Sequence, residues 1–194
     1  LTASRVQMRK GAHFLKMFTS GAVSGLRDPL DIGEFSFDEI TAAADEAKRW
    51  NTYLAVHTYN DKGTRLALEA GAMSIEHGNL IDEATAREMK RCGAFFVPTL
   101  ATYAALAEEG QQLDWSADML AKLQRVQASG LNAIALALAE GVPVVFGSDL
   151  LGQRNSAVLR DGRMQRHVDG ALGCVVVVDF VQPLCGDTWR LPHH

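Results

Sequence analysis

Short apolar runs alternate with longer amphipathic stretches along most of the chain. His13–Phe18, Tyr53–Val56, Met73–Ile75, Ala94–Val97 and Pro143–Phe146 are compact apolar runs, and polar or glycine positions bound them. This pattern predicts five strands. The stretches between them read as helices. Ser36 and Glu39 make a capping-box pair, and Ile40, Ala43, Ala44 and Ala47 follow at helical spacing. Asn60 or Asp61 starts a helix to Ala70, with Gly71 as its left-handed exit; Asp82 starts another to Arg91, with Gly93 beyond it. A longer helix is predicted from Ser116 to Glu140, stopped by Gly141. Strands alternating with helices imply βαβ units and a parallel sheet, hence an α/β fold. The Ser20–Phe35 loop and the Leu100–Trp115 segment leave the same rim of that sheet and are candidates for shaping a pocket. The rhythm stops after Gly152, so residues 1–152 read as one unit. Residues 153–194 read as an unassigned tail, non-native or frame-shifted, with one strand candidate at Cys174–Val181.

Composition narrows the function. With 194 residues, 47% hydrophobic and 22% charged, the chain is expected to be a soluble globular protein. A net charge of −4 removes the attraction on which most nucleic-acid binding depends, so that partner class is excluded. No apolar run approaches the roughly 20 residues of a membrane helix, so no membrane partner is expected. Cys92, Cys174 and Cys185 match neither a disulfide framework nor a CxxC zinc site. The N-terminus lacks a charged-then-apolar signal pattern, and a cytoplasmic location is the expectation. A small molecule is the expected substrate, and homo-oligomer formation stays open.

The chemistry gathers at the strand ends. Lys16 lies within or near the end of the first strand, His57 ends the second, His77 the third and Asp149 the fifth. Carboxyl ends of parallel strands are where α/β folds collect catalytic groups. Each residue alone has an ordinary structural role: a hydrogen-bonded histidine, a surface lysine, a capping aspartate. Together they suit a divalent metal centre that acidifies water, Zn²⁺ being the default ion and Mn²⁺, Co²⁺ or Fe²⁺ the alternatives.

Several ordered motifs carry a resemblance. They are Phe14-Leu15-Lys16-Met17-Phe18-Thr19-Ser20-Gly21, Ala55-Val56-His57-Thr58-Tyr59, Ser74-Ile75-Glu76-His77-Gly78, Phe96-Val97-Pro98-Thr99-Leu100 with Tyr103, and Phe146-Gly147-Ser148-Asp149-Leu150-Leu151-Gly152. In this order they resemble the amidohydrolase superfamily, in its imidazolonepropionase-like and Xaa-Pro-dipeptidase-like branch. The resemblance implies a (β/α)₈ barrel with one or two metal ions at its mouth. It implies that Lys16 is carboxylated to a metal-bridging carbamate, that His57 and His77 ligate the more exposed ion, and that Asp149 ligates the buried ion and takes a proton from water. It also implies that Tyr59 hydrogen-bonds the scissile carbonyl, and strand alternation agrees, because residues two apart share a face.

Two departures accompany it. The family's first-strand His-x-His pair is absent from this sequence, and only the fourth to eighth strands are matched. The expectation is therefore part of a barrel, from a parent enzyme that hydrolyses a C–N bond of an amide, dipeptide or cyclic amide, with weak or absent catalysis by this chain alone. The rivals are a phosphotriester or lactone hydrolase on the same centre and a non-catalytic half-barrel fragment.

Overall fold

The apolar runs pair into one parallel sheet in the order β1-β2-β3-β4, with β1 Leu15–Phe18, β2 Leu54–Asn60, β3 Ser74–Leu80 and β4 Phe95–Val97. The computed structural model describes residues 1–109 and 115–149. Every strand lies beside its sequence neighbour, and α2 (Phe37–Arg49), α3 (Asp61–Glu69) and α4 (Glu83–Cys92) make the crossovers. This is the repeating unit of a (β/α)₈ barrel wall, so the α/β fold and parallel sheet follow the sequence expectation.

The strand details differ from that expectation. The fifth run meets β4 through an isolated parallel bridge, Phe96 to Val144, with backbone bonds of 2.9 Å to Pro143 and 2.8 Å from Val145. β2 and β3 continue past His57 and His77, because their backbone bonding carries on into the turn that starts the next helix. Part of the Leu100–Trp115 segment is helical, as α5 (Leu100–Glu109), and α6 (Ala117–Ala139) follows it. An unanticipated helix, α1 (Thr2–Arg9), opens the chain. Only Met8 of α1 is buried, so its sequence shows no apolar stripe; Arg5 ties it to Glu46 of α2 at 3.1 Å. The expected tail and its strand lie outside the described residues.

One face of the sheet packs against the helices. Leu15, Leu54, Val56, Ile75 and Phe96 meet Ile40, Ala47, Met89, Ala133 and Val144 in the main core. A second cluster sits at the carboxyl ends of the strands, where Tyr59, Tyr103, Val23, Leu30, Leu123 and Val126 join the β1–α2 loop to α5 and α6.

The predicted caps hold. Ser36 and Glu39 form the reciprocal capping box, Asn60 caps α3, Ser116 caps α6, and Gly93 takes the left-handed conformation after α4. Asp82 accepts the Thr85 backbone N–H at 2.7 Å and pairs with Arg65. The Thr85 amide, helped by its hydroxyl and by Arg65, holds the Asp82 carboxyl at about 2. A carboxyl depressed from 3.8 stabilises the fold above that pH and loses the contribution as pH falls through about 2. Asp82→Ala is expected to cost about 1 kcal/mol at neutral pH, almost all of it from the cap, because the ion pair is exposed and screened. Urea denaturation at pH 7 measures the loss, and an unchanged midpoint would show the cap to be idle.

Candidate active site at the carboxyl ends of the strands

Register decides which side chains share a face. Phe18 pairs with His57, His57 with Glu76 and Glu76 with Val97, forming one transverse row. Alternation then places Lys16, Phe18, Ala55, His57, Tyr59, Ser74 and Glu76 on the face opposite the helix-packed core. His77 is out of phase, since two residues after Ile75 it belongs on the apolar face. Its φ of +74°, followed by +53° at Gly78, breaks the alternation. Its ring instead lies 4.4 Å from that of His57 and 5.3 Å from that of Tyr59. Gly78 permits the turn: a Cβ there would stand 2.5 Å from Cε2 of Phe96. Thr99 and Asp149 also have positive φ, +45° and +46°, so three of the four such non-glycine residues among those described lie at this rim. Backbone strain of this kind concentrates at functional sites.

The two imidazoles are buried, neutral and oriented. The Gly21 carbonyl lies 3.2 Å from His57 Nε2 and can only accept, so Nε2 carries the proton and Nδ1 keeps its lone pair. Burial, reinforced by the Lys16 charge, lowers the His57 pKa to about 4 against the pull of Gly21. His77 Nδ1 lies 2.7 Å from Thr99 Oγ1. Burial, then His57 and Lys16, depress its pKa well below the ordinary histidine range. Among the described residues, neither His57 Nδ1 nor His77 Nε2 has a hydrogen-bond partner.

Acidic and phenolic groups complete the rim. Burial raises the Glu76 carboxyl, while the Ser74 hydroxyl, donating at 2.5 Å, and the Lys16 charge oppose the rise. Burial likewise raises half-buried Asp149, with Lys16 opposing. The Tyr59 phenol is pushed up by burial and is 3% exposed. Lys16, exposed on β1, is therefore the cation common to His57, His77, Glu76 and Asp149.

The β1–α2 loop is built to hold this arrangement. Ser20 Oγ accepts the Tyr59 backbone N–H at 2.9 Å, and Asn60 donates to the Leu30 carbonyl at 2.6 Å. Lys122 of α6, 7% exposed, donates to the carbonyls of Ala22, Gly25 and Asp28 at 3.2, 2.6 and 3.2 Å. Gly21 is required by close approach, since a Cβ would meet the Pro29 carbonyl oxygen at 2.2 Å.

Of the residues singled out from sequence, His57, Tyr59 and His77 stand together, with Lys16 and Asp149 electrostatically coupled to them. Glu76, Thr99, Tyr103 and Lys122 were not assigned roles. Alternation from Ser74 was the available signal for Glu76, whereas nothing local marks Lys122. Among the described residues no group of three or more His, Cys, Asp or Glu side chains is spaced to hold an ion. The paired imidazoles, each with one nitrogen held by a partner and the other unengaged, still have the donor chemistry of metal ligands.

Comparison with known proteins agrees with this geometry. A sequence model described as "Amidohydrolase family" matches residues 1–175. Ochratoxinase of Aspergillus niger is 33% identical over 148 residues, covering 76% of this chain and 30% of that protein. Among solved structures, a prolidase complexed with N-methylphosphonate-L-proline is 42% identical at a TM-score of 0.76, over 78% of this chain and 37% of that one. A Xaa-Pro dipeptidase with methionine bound in its active site is 27% identical at a TM-score of 0.70, over 76% of this chain and 37% of that one. The chain thus spans about a third of the length of these relatives.

Proposed function

Because this chain belongs to the amidohydrolase family, we propose that it supplies the metal-ligating strand ends of a hydrolase that cleaves a C–N bond in an amide or dipeptide-like substrate. The observation that carries this reading is the pair of buried, neutral imidazoles with their free nitrogens unengaged. The ochratoxinase and prolidase likenesses support the bond class.

His57 Nδ1 and His77 Nε2 would hold a divalent ion, Zn²⁺ by default, together with Lys16 as its carbamate, while Asp149 would serve a second, more buried ion. An unmodified ammonium has no lone pair to offer. When bound, such an ion supplies Lewis acidity toward the carbonyl and the attacking water. The chain's own residues do the rest. Gly21 and Thr99 fix the ring orientations of the histidines. Tyr59 donates its phenolic proton to the oxygen that gains charge as the carbonyl is attacked. The Asp149 carboxylate, raised by burial, accepts a proton from the attacking water and can return it to the leaving nitrogen. Without a His-x-His pair, this chain on its own is expected to turn over weakly.

Zinc titration followed by calorimetry tests the centre. His57→Ala and Lys16→Ala are each expected to weaken Zn²⁺ binding by more than about 100-fold, beyond the range seen when only a supporting partner is removed. Binding unchanged in both variants would sink the reading and favour a non-catalytic fragment. A panel of N-acyl amino acids and dipeptides, beside a phosphotriester and a lactone, decides the bond class.

A further inference from the structure

Four buried polar side chains form an unbroken line behind the site. His77 Nδ1 lies 2.7 Å from Thr99 Oγ1, Thr99 donates to Tyr103 Oη at 3.5 Å, and Tyr103 donates to Tyr59 Oη at 3.2 Å. All four are nearly inaccessible, at 3%, 3%, 1% and 3% exposure, so bulk water is a poor substitute for any link. Thr99 and Tyr103 stand four residues apart at the start of α5, the spacing that brings side chains over one another on a helix.

Proton counting gives the line a direction. A hydroxyl has one proton to donate. Thr99 gives its proton to Tyr103, so toward His77 it accepts, which places the imidazole proton on Nδ1 and leaves Nε2 with its lone pair. Tyr103 gives its proton to Tyr59, so Tyr59 accepts, and the Val23 backbone amide also approaches that oxygen. The proton left over is Tyr59's own, and no described residue accepts it. Chains of aligned donors polarise one another in a low-dielectric interior. The backbone strain is borne at the first two links, at His77 and Thr99, the latter a β-branched residue at positive φ.

We propose that Thr99 and Tyr103 are positioning residues forming a directed hydrogen-bond relay, from His77 to Tyr59, that fixes the His77 tautomer and makes Tyr59 a committed donor into the site. No bond is made or broken in the relay and no proton leaves its atom. The proposal rests on the roles given above to His77 and Tyr59, and it predicts that ligation at His77 Nε2 sharpens donation at Tyr59, 18 residues earlier in the chain.

Nuclear magnetic resonance on the 194-residue chain tests this without turnover. Histidine side-chain ¹⁵N spectra read the tautomer, and ¹³Cζ-tyrosine labelling reads each phenol, of which there are only three. The metal-free protein should show His77 as the Nδ1–H form. Tyr103→Phe and Thr99→Val should both shift the Tyr59 ¹³Cζ resonance and leave Tyr53 in place, and Thr99→Ser should restore the parent spectrum. Zn²⁺ should shift Tyr59 in the parent and in Thr99→Ser but not in Thr99→Val. An Nε2–H tautomer for His77, or a Tyr59 resonance indifferent to Tyr103→Phe, overturns the relay. If Zn²⁺ fails to bind, the metal reading falls, while the metal-free tautomer and the Tyr59 shift still decide the relay.

Discussion

Lys122→Met is expected to destabilise the chain by about 3 kcal/mol and to release the β1–α2 loop. Methionine keeps much of the side-chain volume but donates nothing. The ammonium now serves three backbone carbonyls, those of Ala22, Gly25 and Asp28, and pairs with Asp118 at 3.2 Å. Leaving buried acceptors unsatisfied costs roughly 1–3 kcal/mol each, partly recovered by water entering and by the relief of burying a charge. The loop carries Gly21 and Ser20, the partners of His57 and Tyr59, so the damage reaches the site. Urea denaturation, with limited proteolysis across residues 20–33, checks both parts. Wild-type stability together with an unchanged cleavage pattern would show that the clamp carries no weight.

The buried imidazoles should make acid weaken the metal-free fold, against an opposite and stabilising contribution from the raised Glu76 and Asp149 carboxyls. Above pH 6.5 His57 is neutral in both folded and unfolded chains and contributes no pH dependence. Between 6.5 and about 4 the unfolded imidazole binds a proton that the buried one refuses. The His57 contribution then drops as pH falls, by about 1.4 kcal/mol per unit and about 3 kcal/mol over the window. His77 acts in the same direction. His57→Gln, which keeps a donor for the Gly21 carbonyl, should flatten the slope between pH 6.5 and 4. Unfolding free energies measured across that range decide it, and parallel curves for parent and variant would refute the buried neutral imidazole.

Much of the framework was legible in one dimension. Caps are local chemistry, so Ser36, Asn60, Asp82, Gly93 and Ser116 marked helix ends from the identity of one or two residues. Parallel strands buried against helices read as short apolar runs, which is why β1 to β4 emerged in order. α1 did not emerge, because a helix held by one buried methionine and an ion pair to a distant glutamate shows no stripe. The fifth apolar run meets β4 by an isolated bridge rather than a named strand, since an apolar run does not state how many backbone bonds its neighbour will offer.

The candidate site divides the same way. The amino-acid sequence alone named Lys16, His57, His77 and Asp149, because residue types suited to a metal centre recur where apolar runs end, and the family resemblance of its motif added Tyr59. It also determined the α/β class, through the alternation of the two periodicities. Only the tertiary structure decided that His77 abandons the alternation of its own strand, that Glu76 joins the inner row, and that a lysine on α6 holds the loop behind His57. The physical reason is range. Periodicity and capping are set by neighbours a few residues away, whereas a reversed φ, a buried charge and a hydrogen bond across 97 positions are stable only when the surrounding fold stabilises them.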